Sequence, residues 1–238
     1  KTAMPETQSS SCTAKMNMIL HNNATARIEK GYSTLSNPQF LNTRGQLETF
    51  DFCVANPPFS LKNWSDGFTP SSDVYERFLG YGTPPDKNGD YAFLLHILAS
   101  LKSNGKGAVI LPHGVLFRGN SEQQIRTSII KRGYVKGIIG LPANLFFGTG
   151  IPACIILLDK ENAAARKGIF FIDASKGYVK DGNKNRLREQ DIHKIVDVFN
   201  NHIEINKFSR MVPMAEIEEI RLTQAYKARI SHGQFQSF

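Results

Sequence analysis

The sequence predicts an α/β fold, a three-layer sandwich with a mostly parallel sheet. Three observations predict it. Strand-like and helix-like segments alternate from Phe50 to Asp173, the pattern of βαβ units. Hydrophobic residues make up 41% of the 238 residues, enough for an ordinary globular core. One apolar run, Phe50 to Ala55, ends in Asn56-Pro57-Pro58-Phe59. That sets a stiff, polar-tipped loop at the carboxyl end of a strand, where open α/β sheets bind their ligands.

Taken in order, residues 1–12 are polar and aperiodic. Residues 13–22 (TAKMNMILHN) place Ala14, Met18 and Ile19 on one face and predict a short helix. Residues 23–40 carry Gly31, Asn37 and Pro38 and read mostly as loop. The run from Phe50 to Ala55 reads as a buried strand, stopped by prolines that offer no N–H to a sheet ladder. Residues 60–89 are punctured by glycines and prolines and read as a long loop, with the single Trp64 either anchoring it or shaping a pocket. Asp90 is a candidate N-cap for a nearly all-apolar, buried helix over 91–102, which Gly105 and Gly107 end. A second core strand follows over 106–111 (KGAVIL), broken by Pro112-His113-Gly114. Asn120 or Ser121 caps a helix over 122–132, with Ile125, Ile129 and Ile130 on one side. Strands are predicted over 135–141 (VKGIIGL), 154–158 (CIILL, a candidate hairpin partner of the preceding strand) and 168–173 (GIFFID). Between the first two of these lies a glycine-bearing loop with Phe146 and Phe147 at its centre. Residues 178–188 form a basic loop. Residues 189–200 predict a helix with Ile192, Ile195, Val196 and Phe199 on one face, and a polar, basic tail begins at Arg221.

The net charge of +8 favours a polyanionic partner, most simply nucleic acid; an inert basic surface satisfies it equally. Cys12, Cys53 and Cys154 are odd in number and widely spaced. They show neither a disulfide framework nor metal-ligand spacing, as expected in a reducing, cytoplasmic setting. His21, His96, His193 and His202 lack Cys or acidic partners at ligand spacing, so no metal is expected. No apolar run is long enough to span a bilayer and no signal peptide is visible, so no membrane association is expected.

The Asn-Pro-Pro-Phe loop offers specific chemistry. The Asn56 side-chain oxygen and the Pro57 carbonyl are two neighbouring acceptors on a rigid loop. Together they suit an NH₂ group: holding both hydrogens localises a nitrogen lone pair that is otherwise delocalised into an aromatic ring. That nitrogen can then attack an electrophilic methyl group, with Phe59 stacked on the ring. On these four residues alone, a proline-bounded loop with a packed Phe remains open.

Residues 50–59 resemble motif IV of the S-adenosylmethionine-dependent amino-methyltransferases, in the form used by N6-adenine DNA methyltransferases. Residues 90–102 (DYAFLLHILASLK), 108–119 (AVILPHGVLFRG), 140–152 (GLPANLFFGTGIP) and 171–176 (FIDASK) closely resemble the methyltransferase (M) subunit of type I restriction-modification systems. The similarity runs from about Ala14 to Met214. It implies a Rossmann-like S-adenosylmethionine-dependent methyltransferase fold and a site-specific, adenine-directed DNA methyltransferase. By the resemblance, Asn56, Pro57 and Pro58 hold the exocyclic amine and Phe59 stacks on the adenine. Such enzymes first flip the base out of the duplex. The 142–152 loop matches the family's motif VIII region, so Phe146 or Phe147 takes the other face of the base, one of the two being packed and the other functional. The implied partners are DNA and the specificity and restriction subunits of a type I system.

The chain departs from the family at the cofactor side. The Asp-Pro-Ala-Cys-Gly-Thr-Gly-like glycine loop, which lets backbone approach the donor closely, is absent. The ribose-binding acid has no counterpart in residues 1–5, and Glu6 is displaced. Ser33-Thr34-Leu35 after Gly31 corresponds to the family's Gly-x-Thr-Leu turn, with Tyr32 and Ser33 where an acid often lies, and Ser33 is the candidate for cofactor contact there. Residues 1–220 are therefore expected to be a partial catalytic domain lacking its first strands and glycine loop, and 221–238 a polar tail. S-adenosylmethionine is the implied methyl donor, bound weakly or not at all by this chain alone. Alternatives are a truncated non-catalytic subunit- or DNA-binding remnant, and a protein-glutamine methyltransferase, against which the Leu-Pro-His-Gly and Gly-Thr-Gly-Ile-Pro strings argue. Arg118, near the expected active edge, is the leading phosphate candidate. Lys176, Lys180, Lys184, Arg186 and Arg188 contact phosphates or form a solvated loop. His113 reads as structural, since attack on a sulfonium methyl needs little base help.

Overall fold

The computed structural model describes residues 8–29 and 33–222. Helix α1 (Gln8–Leu20) precedes strand β1 (Phe50–Ala55), helix α2 (Asp90–Ala99), strand β2 (Leu101–Pro112) and helix α3 (Asn120–Lys131). Strands β3 (Val135–Gly140), β4 (Ala153–Asp159) and β5 (Gly168–Asp173) follow. A small hairpin, β6 (Val179–Asp181) and β7 (Lys184–Arg186), leads to helix α4 (Glu189–Asn201), strand β8 (Ser209–Pro213) and helix α5 (Met214–Leu222).

Six strands form one sheet in the order β1-β2-β4-β3-β5-β8. β1 pairs parallel with β2 and β3 parallel with β5, while β4 is antiparallel to both of its neighbours and β8 to β5. β1, β2, β3 and β5 thus share one direction, and their carboxyl ends share one edge. β4 is the hairpin partner of β3 and inserts between β3 and β2. Adjacent residues divide between the two faces as the period of two requires. Ile138, Ile169 and Phe171 join a core with Leu94 and Leu98 of α2 and Ile125 and Ile129 of α3. Ile139, Phe170 and Ile172 join a second core with Ile195 and Val198 of α4. Helices on both faces make the three layers.

Several boundaries differ from the sequence expectation. α2 stops at Ala99, and Leu101 and Lys102 open β2, because Leu101 pairs with Phe50. Gly105 lies inside that strand and does not end a helix; a Cβ there would sit 2.9 Å from the Phe50 carbonyl oxygen, so glycine permits close approach of β1. α3 and α4 are preceded by Gly119 and Arg188, without a capping Asn or Ser. On α4 the buried residues are Ile195 and Val198, whereas Ile192 and Val196 are exposed. The basic loop contains the β6–β7 hairpin, turned at Gly182 with φ +57°. β8 had no strand signal in the sequence.

The largest correction concerns β1. It is an edge strand, and its face carrying Phe52 and Val54 is 74% and 81% exposed at those residues, while Cys53 and Ala55 pack against the core. On that face Phe40 packs edge-on against Phe50, while Phe52 and Val54 stay open. Residues 60–89 are ordered by packing on the main core, which Trp64 and Phe78 join: Trp64 is buried and donates Nε1–H to the Pro85 carbonyl at 2.9 Å, so it anchors the loop. α5 runs past the expected boundary at 220; the tail from 223, together with Glu6, Gly31 and Tyr32, lies outside the described residues.

Candidate active site

The loop after β1 begins with Asn56, whose side chain is exposed, followed by buried Pro57 and partly buried Pro58 and Phe59. Among the described residues neither the Asn56 carboxamide nor the Pro57 carbonyl accepts or donates a hydrogen bond. The two acceptors are therefore uncommitted. The chain turns at Ser60, a non-glycine residue at φ +50°. Such a backbone is unfavourable unless its surroundings hold it.

Asp90, fully buried at the start of α2, holds it: the Ser60 backbone N–H donates to Asp90 Oδ1 at 2.7 Å and its hydroxyl lies 3.4 Å from Oδ2. Asp90 is the first residue of α2, with Gly89 at the N-cap position, so its carboxylate serves the neighbouring loop. The Arg118 guanidinium donates from Nη2 to Asp90 Oδ2 and from Nε to Glu122 Oε2 at 2.6 Å. Arg118 thus faces two buried carboxylates, which occupy the guanidinium expected to meet phosphate. Glu122 is 2% exposed, and its Oε1 has no hydrogen-bond partner among the described residues. Burial raises the Glu122 pKa despite the opposing pull of Arg118.

The second wall comes from residues 142–152, the connection from β3 to β4. Because β4 turns back between β3 and β2, this loop returns towards β1. The Phe146 ring packs edge-on against Phe59, with centroids 5.6 Å apart and planes at 77°. Phe147 is 93% exposed. The β6–β7 hairpin fastens the loop. Lys184 Nζ donates to the carbonyls of Phe146 at 2.8 Å and Thr149 at 3.2 Å. Asn185 donates its backbone N–H to the Asn144 carbonyl at 2.9 Å and its Nδ2–H to that of Ala143 at 2.6 Å. Lys184 is therefore a clip, Arg186 pairs with Asp181 and Arg188 with Asp191, while Lys176 and Lys180 stay exposed.

His113 follows β2 at the same edge, its backbone N–H donating to the Pro152 carbonyl at 2.9 Å; burial lowers its pKa, which keeps it neutral near pH 7. Burial pushes the Cys154 thiol up to about 12 and raises that of Cys53, so both are inert packing residues. No group of three or more His, Cys, Asp or Glu able to hold a metal occurs among the described residues, and no helix there is long and apolar enough to cross a membrane.

The geometry places the Asn56–Phe59 loop against Phe146, leaves Phe147 exposed beside it, and commits Arg118 to two carboxylates. Sequence reading took Asp90 for a helix cap and Lys184 for a phosphate contact or solvated residue, and missed Ser60 and Asn185. The one available signal was an acid directly ahead of a helix with no polar face.

The profile of the N-6 DNA methylase family matches residues 6–232. The chain belongs to the N-6 DNA methylase family. Within that family it is 37% identical over 217 residues to the type I restriction enzyme MpnII methylase subunit of Mycoplasma pneumoniae, a match covering 86% of this chain and 38% of that protein. It is 34% identical over 215 residues to the MjaVII methylase subunit of Methanocaldococcus jannaschii, covering 87% and 36%. The crystal structure of a type I restriction-modification methyltransferase subunit from Streptococcus thermophilus superposes with a TM-score of 0.79 at 36% identity, over 91% of this chain and 45% of that one. The fold is thus that of the S-adenosylmethionine-dependent methyltransferases, and this chain spans less than half the length of these relatives.

The methyl donor of the N-6 DNA methylases is S-adenosylmethionine. A groove of about 980 Å³ runs along the exposed face of β1, lined by Ser33, Thr34, Phe40, Phe50, Phe52 and Val54 among others. Glu29, the acid on its wall among the described residues, is paired with Arg27 at 2.6 Å, and no glycine of the described residues lines it. Ser33 Oγ accepts the Ser36 N–H at 3.2 Å within its own turn. The donor's ribose and methionine ends need a free acid and a close backbone approach, so the described residues do not fit it.

Proposed function

We propose that this chain forms the base-gripping part of an adenine-N6 DNA methyltransferase, the modification subunit of a type I restriction-modification system. The observation that carries this reading is the pair of acceptors, Asn56 Oδ1 and the Pro57 carbonyl, uncommitted among the described residues and beside the Phe59–Phe146 aromatic contact. A flipped adenine presents its N6 amine to the two acceptors, which localises the nitrogen lone pair. Phe59, backed by Phe146, takes one face of the ring, and exposed Phe147 takes the other. In the full-length subunit S-adenosylmethionine would supply the electrophilic methyl group, its S–CH3 bond breaking as N6 gains the methyl and releases a proton.

The net charge of +8 suits DNA as the partner. A specificity subunit selecting the sequence, a restriction subunit and a cytoplasmic location complete the proposal. Family membership favours it over a non-catalytic remnant or a glutamine methyltransferase. The test is methyl transfer to adenine by the full-length methylase subunit in its complex, with and without Asn56→Ala. Loss of one preorganised partner predicts a fall in kcat on the order of 10²–10³-fold. Undiminished adenine methylation by the variant would refute the assignment.

A further inference from the structure

The acceptor loop owes its shape to a residue outside it. Ser60 follows Phe59 directly and sits in the left-handed region at φ +50°, where a side chain is disfavoured. A backbone N–H in that conformation needs a partner, and the one it has is Asp90 Oδ1 at 2.7 Å. Asp90 is itself immobilised. It is fully buried, rooted at the first turn of a helix that carries Tyr91, Leu94, Leu95 and Leu98 in the core, and paired through Oδ2 with Arg118. Arg118 is in turn tied to Glu122 on α3. The Ser60 turn is thereby fastened to α2 and, through Arg118, to α3.

We infer that Asp90 is a positioning residue for the methyl-transfer step, acting through the Ser60 N–H to set the spacing of Asn56 Oδ1 and the Pro57 carbonyl. This rests on the functional reading above. The alternative is that Asp90 only neutralises Arg118. The two differ for Asp90→Asn, which keeps an oxygen acceptor for Ser60 but no longer carries a charge for Arg118. In either variant Arg118 keeps Glu122 as its partner.

The experiment uses the full-length methylase subunit in its complex and compares wild type, Asp90→Asn and Asp90→Ala. It reads kcat and the KM for S-adenosylmethionine, together with hydrogen exchange of a peptide spanning residues 57–62. The expected result for Asp90→Ala is a kcat about 10²-fold lower at unchanged KM for the donor, with faster exchange in that peptide. Asp90→Asn is expected to recover to within about tenfold of wild type, with exchange near normal. Equal impairment of the two variants, or unchanged exchange in Asp90→Ala, would overturn the inference. Asn56→Ala run alongside separates the two claims: if adenine methylation survives it, the active-site reading fails, whereas the exchange data judge the Asp90 clamp by itself.

Discussion

Lys184 grips the Phe146 carbonyl at 2.8 Å from a hairpin 38 residues further along the chain. With the second bond to Thr149, one ammonium group closes the loop that carries both candidate base-facing phenylalanines. Hydrogen bonds from a charged donor are worth about 1.5–3 kcal/mol each. Lys184→Met is therefore expected to lower stability by about 1–3 kcal/mol and to open residues 146–150 to protease, measured by denaturant unfolding and limited proteolysis. An unchanged cleavage rate there would exclude the clip.

Phe146 and Phe147 are adjacent but differ in surroundings. Phe146 packs on Phe59, and Phe147 is 93% exposed. Phe147→Ala should leave thermal stability within about 0.5 kcal/mol of wild type, as surface changes do. It should weaken binding of DNA carrying 2-aminopurine at the target adenine by about 1–3 kcal/mol and reduce the fluorescence of the flipped base. Phe146→Ala should show the reverse balance, with the larger loss in stability.

The loop over 60–89 predicts an acid-sensitive fold. Arg77 is buried and doubly bonded to Asp73, with Nη2–Oδ1 at 2.7 Å and Nε–Oδ2 at 2.8 Å. Its Nη1 lies 3.3 Å from His96 Nδ1. Arg has no acceptor, so His96 Nδ1 must be unprotonated here. Burial of the ring, helped by the charge of Arg77, lowers the His96 pKa to about 3. Between its ordinary value near 6.5 and about 3, the unfolded chain binds a proton that the folded one does not. Stability is full above that window and falls by about 1.4 kcal/mol per pH unit within it. His113, also lowered by burial, acts in the same direction. His96→Gln keeps an acceptor for Arg77 without titrating, and should flatten the slope of unfolding free energy between pH 6.5 and 4.5 relative to wild type. Parallel pH profiles for the two proteins would rule this out.

What the sequence determined by itself lay in local chemistry. The limits of β1 and β5 were legible because a β-rich apolar run and its proline or polar stop are contiguous. The acceptor loop was legible for the same reason: Asn56 to Phe59 carry their chemistry in four consecutive residues. The pairing of β4 with β3 also showed, as two apolar runs joined by a glycine-bearing loop.

The tertiary structure alone decided what depends on distant neighbours. It ended α2 at Ala99, because pairing with Phe50 outweighs the helical preference of Leu101 and Lys102. It left Phe52 and Val54 in the open, because the described sheet stops at β1. It turned Arg118 from a surface cation into the partner of Asp90 and Glu122, because a guanidinium beside two buried carboxylates is held there by their charge. No spacing rule joins Asp90 to Ser60, thirty residues apart in the chain, or Lys184 to Phe146. Those contacts exist because parallel strands gather their carboxyl ends on one edge, and the loops that share an edge must satisfy one another's polar groups.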